Sequence, residues 1–203
     1  MRTFFNVDSR VQYEKIEDLI KSPKIIRLNE FDEKALEEFE DDMDEAHSTR
    51  QDVIPIVIDS FGGSAYGAQG VIAAIESAKK PVATILTSKA MSAGAIAFCF
   101  GTQGYRYMHP HACLMIHEVG SMTYGKSTEM TVDVNHVNSL TKSVWQQVSK
   151  QLGHSSDYIL NLIEEHKHMD WFLTAKEAKK HNIANHLSVP SFEIDISVNV
   201  KFG

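Results

Sequence analysis

The sequence predicts an α/β fold on a largely parallel sheet, and three observations point to it. An apolar run, Val53 to Ile58, leads through a turn containing Gly62-Gly63 into a helical stretch, Tyr66 to Ala78, with Val71, Ile72 and Ile75 on one face. Pro81 then opens a second apolar run, Val82 to Leu86. Together they form a β-α-β unit, whose right-handed crossover sets both strands parallel in one sheet. Such sheets carry helices on both faces, and the rest of the chain supplies more of both elements.

Residues 1–22 are polar and read as an amino-terminal arm. Lys24 to Leu28 is a short strand. Glu30 to Glu45 holds ten acids and one base, a local charge of −9 against −7 for the whole chain, so the remaining residues sum to about +2. Within it Leu36, Phe39, Met43 and Ala46 recur at helical spacing, which makes the acids the solvated face of an amphipathic helix rather than a docking tail. After the β-α-β unit, Ser92 to Phe100 is a short helix rich in Ala and Gly, and Ala112 to Ile116 a buried strand. Thr128 to Gln151 is a long helix and Ser155 to His166 another. In the tail, residues 189–203, Phe192, Ile194, Ile196, Val198, Val200 and Phe202 alternate with polar residues. That is a half-buried strand, which must pair with its own sheet or with a neighbouring subunit.

Composition narrows the classes. With 203 residues, 43% hydrophobic, 23% charged and 5 Pro, the chain suits one globular domain and neither a fibre nor a disordered scaffold. No apolar run nears the roughly 20 residues of a membrane span, and Met1 to Phe5 leads into Asn6 and Asp8 rather than a signal sequence. The expected setting is cytoplasmic, without a membrane partner. No basic stripe is present, so no nucleic-acid partner is expected. Cys99 and Cys113 lie in apolar company and read as free thiols.

Chemistry is suggested first by Ala90-Met91-Ser92-Ala93-Gly94-Ala95, between an apolar strand and a small-residue helix. A helix start aims free N–H groups at whatever Ser92 attacks, although serine is also a common helix cap. The strand Cys113 to Ile116 ends in His117, where a base would be fixed by the sheet yet open to a cleft. A serine hydroxyl needs such a base, and the imidazole needs a third group to hold its tautomer. Asp170, opening Asp170-Trp171-Phe172-Leu173-Thr174-Ala175, is the candidate. Taken singly, His117 could be a core histidine and Asp170 a turn residue.

Four blocks in this order resemble the proteolytic subunits of Clp proteases, serine peptidases of the ClpP/crotonase fold. Ile58 to Ser64 is similar to that family's glycine-rich oxyanion turn and Ala90 to Ala95 to its nucleophile motif. Met115 to Glu118 is similar to its histidine motif and Asp170 to Ala178 to its aspartate motif. The similarity spans roughly residues 23–188. It implies repeated β-α-β units with a protruding strand-helix handle at about 119–151. It also implies Ser92 as nucleophile, His117 as general base and then acid, Asp170 as its orienting partner, and backbone N–H groups of Gly63 and Ala93 as oxyanion donors. At Gly63 a β-carbon would crowd the scissile carbonyl. Val119, Gly120, Ser121 and Met122 correspond to the strand on which the family pairs an extended peptide. No cofactor or metal is implied. The implied partners are unfolded polypeptides, further copies of the chain in heptameric rings stacked as a tetradecamer, and a Clp-type ATP-dependent unfoldase. Phe61 stands where the family usually has proline, and Glu118-Val119 replaces Gln-Pro, as in a divergent or phage-type member.

Other readings compete. Gly120 to Ser127 satisfies the phosphate-loop pattern G-x-x-x-x-G-K-[ST]. However, the 76 residues after Ser127 hold no apolar strand ending in an aspartate, apart from the alternating tail. An inactive structural subunit would keep the fold without the reaction. A crotonase-type acyl-CoA enzyme would share the oxyanion donors but would not need Ser92, His117 and Asp170 together. His109, His111 and His117, and the pair His166 and His168, lack the accompanying ligands of a metal site.

Overall fold

The structure, a computed structural model, describes residues 23–120 and 122–191. The expected arm (1–22), Ser121 and the alternating run from Phe192 lie outside the described residues.

Strand β1 (Ile26–Leu28) leads to helix α1 (Glu33–Ser48), which starts where the Asp32 carboxylate accepts from the Ala35 N–H at 2.8 Å. Phe39, Met43 and Ala46 are buried and the acids point to water. Strands β2 (Ile54–Ser60) and β3 (Val82–Met91) flank helix α2 (Ala65–Glu76) and pair in parallel, with β1 on the far side of β2, also parallel. Strand β3 outruns the expected end at Leu86. It continues through exposed Thr87 and Ser88 so that Lys89, Ala90 and Met91 pair with Cys113, Leu114 and Met115 of β5 (Cys113–Ile116).

Helix α3 (Ala93–Cys99) follows β3 directly, and helices α4 (Ser127–Gln151) and α5 (Tyr158–Glu165) pack against one another later in the chain, α4 also against α3. Unpredicted are strands β4 (Arg106–Met108) and β6 (Trp171–Thr174) and helix α6 (Ala175–Lys180). Strand β6 is antiparallel to β5, so the sheet, in order β1-β2-β3-β5-β6 with β4 beside β3, is mixed at one edge. Strand β4 eluded the sequence pattern because one of its two inward residues is Arg106, the other being Met108. This guanidinium is fully buried and donates to the carbonyls of Gly101, Asn182 and Ile183 and to Gln103 at 2.8–3.0 Å. The strand expected at 119–122 is not formed by its described residues. The Val119 N–H donates instead to the Thr141 hydroxyl at 3.1 Å, and a strand needs a ladder partner.

Candidate active site

One end of the sheet gathers the four blocks. The carboxyl ends of β2, β3 and β5 lie side by side, delivering Gly62-Gly63, Ser92 and His117, while β6, running the other way, begins there and brings Asp170.

Ser92 sits between β3 and α3 at φ 53° and ψ −118°, a conformation that L side chains rarely adopt. Its N–H donates to the Met115 carbonyl at 2.9 Å, which pins the bend to β5, while its hydroxyl makes no cap bond to α3. Instead Ser92 Oγ is 2.7 Å from His117 Nε2. Ala93 opens α3, so its N–H is among the donors that helix geometry leaves without an intrahelical acceptor. The glycine turn closes on this point. A β-carbon on Gly62, at φ 101°, would stand 2.8 Å from the Met91 carbonyl oxygen and from Ser92 Cβ, and 3.2 Å from Ala93 N. A β-carbon on Gly63 would meet Phe31 Cβ at 3.0 Å, so within the chain its need for glycine lies in packing against Phe31 rather than against a reacting carbonyl. Phe61 is 79% exposed and lies under Lys89, whose Nζ is 4.4 Å from the ring centroid and 2.6 Å from Asp59.

His117 is held from behind. The Trp145 indole N–H donates to its carbonyl at 3.0 Å, and the Val119–Thr141 bond fixes the next residues on α4. With Nε2 facing the serine hydroxyl, Nδ1 faces Asp170 Oδ1 at 3.5 Å, longer than a hydrogen bond and within ion-pair range. The side chains of His117 and Asp170 are 30% and 57% exposed. Beside them His168 Nδ1 is 3.0 Å from Glu118 Oε1. Trp145 and the Glu118–His168 contact were missed from sequence. The apolar periodicity of α4 marks Trp145 as buried, but nothing in it says where the indole N–H points.

A cleft of about 500 Å³ runs past the serine, lined by Gly63, Ala93 and His117 and by Tyr66, His136 and Leu140 among others. Among these, Tyr66 Oη and His136 Nε2 are 2.7 Å apart. Val119 and Gly120 line it, whereas Met122 is fully exposed outside. Together these groups offer a nucleophile, a base in contact with it, a carboxylate behind the base and backbone donors at a helix start, which is the equipment for acyl transfer.

The phosphate-loop segment is arranged differently. The Lys126 N–H donates to Glu129 Oε2 at 3.2 Å, so a carboxylate already occupies the start of α4, and Lys126 Nζ points to the same residue at 3.9 Å. Among the described residues no group of three or more His, Cys, Asp or Glu converges as a metal set, and no helix is long and apolar enough to cross a membrane. Both cysteines are free. Burial pushes the Cys99 thiol up to about 12 and raises that of Cys113, so neither is poised as a nucleophile. In comparison with known proteins, the family model for Clp protease matches residues 8–190.

Proposed function

Because the chain belongs to the Clp protease family, a family of peptidases, we propose that it is a serine endopeptidase cleaving unfolded polypeptides through Ser92, His117 and Asp170. The observation that carries this is the 2.7 Å contact between Ser92 Oγ and His117 Nε2 beside the free N–H groups at the start of α3.

The hydroxyl proton passes to Nε2 as Oγ attacks the peptide carbonyl, and Asp170 stabilises the imidazolium from Nδ1. The N–H groups of Gly63 and Ala93 receive the developing oxyanion, each such donor lowering the barrier by about 3–4 kcal/mol. His117 then protonates the leaving amine, and an acyl-enzyme on Ser92 remains for water to hydrolyse. Substrate pairs in extended form with the segment Val119, Gly120, Ser121 and Met122, so that affinity comes from backbone bonds and sequence tolerance is broad. Assembly into stacked heptameric rings enclosing a chamber, fed by a Clp-type unfoldase, is the corresponding quaternary proposal.

The exposure of Asp170 and its 3.5 Å distance from His117 favour one other reading, an inactive structural subunit. Fluorophosphonate labelling followed by peptide mass spectrometry separates the two. Adduct on Ser92, lost in Ser92→Ala, supports the peptidase; an unlabelled Ser92 in the assembled protein rejects it.

A further inference from the structure

The geometry points to a second rung beside the reactive one: Glu118 and His168 form a positioning pair that holds the segment before β6 so that Asp170 faces His117. The inference rests on the peptidase reading above.

Glu118 directly follows His117, and His168 stands two residues before Asp170, so their 3.0 Å contact joins the same two chain segments that the reactive pair must align. An ionised carboxylate can only accept, so His168 Nδ1 carries the proton and donates to Glu118 Oε1. Asp170 needs outside help. Its side chain is 57% exposed and 3.5 Å from Nδ1, too far for a hydrogen bond to fix its rotamer.

The backbone of the segment that delivers it is anchored elsewhere. Lys167 and His168 are consecutive non-glycine residues at φ 57°, where a β-carbon is disfavoured. Their N–H groups donate back to Glu164 and Ile163 at 2.8 and 3.0 Å, which anchors the segment to α5, away from the serine. The side-chain link across to the end of β5 is the Glu118–His168 contact. Both partners are about half exposed, and exposed pairs contribute little to global stability, so the consequence is to be read in turnover rather than in unfolding.

The test uses the full chain, a short fluorogenic peptide and the rate of fluorophosphonate labelling at Ser92. Glu118→Ala and His168→Ala should each lower kcat by about tenfold with KM within about twofold, a loss typical of slight misplacement. Glu118→Gln still accepts from Nδ1–H and should recover most of the rate. In an Asp170→Ala background neither alanine substitution should slow labelling further, because the pair acts through Asp170. Unchanged kcat in the single variants, or an undiminished further loss in the Asp170→Ala background, overturns the inference. If the alanine variants unfold more easily, the comparison shifts to labelling rate per folded molecule: recovery by Glu118→Gln supports the pair, and equality with Glu118→Ala overturns it. An unlabelled parent chain overturns the peptidase reading together with the pair, whereas a labelled parent with unaffected variants overturns the pair alone.

Discussion

His117 directly follows and Asp170 directly precedes the last rung of the β5–β6 ladder, where Ile116 faces Trp171, and their side chains approach to 3.5 Å. Opposite residues of an antiparallel pair project to the same face, so continuing the ladder's register sets the imidazole and the carboxylate on one face of the sheet. Because their separation is 3.5 Å and the carboxylate is open to water, Asp170→Asn should lower kcat by between about 10² and 10⁴, the upper value being that of a fully buried triad carboxylate. Peptide hydrolysis by the purified variant measures it.

Ser92→Ala should lower turnover by a factor on the order of 10⁶. Ser92→Gly should lose activity equally and yet unfold at a higher temperature than Ser92→Ala, since glycine accepts φ 53° without the cost of about 1–3 kcal/mol that a side chain incurs there. Equal thermal midpoints for the two variants would remove strain from the account of this bend.

Gly62→Ala should be more damaging than a typical surface change. Its methyl group would press on the Met91 carbonyl and Ser92 Cβ at 2.8 Å and on Ala93 N at 3.2 Å, shifting both the Ser92 side chain and the Ala93 N–H. A loss of about 10²–10³ in kcat is expected even in the fraction that folds, as when an oxyanion donor is misplaced. Active-site titration against total protein separates that loss from misfolding.

The Arg106 guanidinium is fully buried among carbonyl acceptors, and desolvation lowers its pKa. Arg106→Leu strands those acceptors, and Arg106→Lys cannot reproduce the planar fork, so each should cost about 3 kcal/mol or more. Urea denaturation would show it, with the leucine variant no more stable than the lysine one.

Acidification should weaken the fold through His181. Burial, then Lys180 and His154, lower its pKa, and its Nδ1 is 2.8 Å from Tyr158 Oη. The unfolded chain therefore takes up the proton more readily than the folded one. Stability is intact above the ordinary histidine value of about 6.5 and declines as pH falls below it. The thermal midpoint should drop between pH 7.5 and 5.5, and His181→Gln should shallow that drop.

How much of this was legible depended on whether a residue's role lay in its neighbours along the chain. Val53 to Ile58 and Val82 to Leu86 announced parallel strands by apolar runs, and Ser92 and His117 stood out because each ends such a run. Asp170 was legible as a residue, but the strand it opens was not. Trp171 to Thr174 spans four residues with Phe172 exposed, so its aromatics resembled a shield rather than a ladder. Arg106 broke the apolar signature of β4, and the described residues among Val119 to Met122 form no strand. Glu118 and His168 are fifty positions apart, and the pairing of β5 with β6 and the turn at Lys167 bring them together.

Ladder pairing also limits how this centre can fail. Strand partners slide in whole residues, and one such slide would send the carboxylate at position 170 to the opposite face of the sheet. Small disturbances to the protein are thus absorbed as looseness of a side chain, while an insertion or deletion in the stretch between α5 and β6 acts as a switch. The connection from His166 to Asp170 must therefore keep its length as well as the carboxylate at its end.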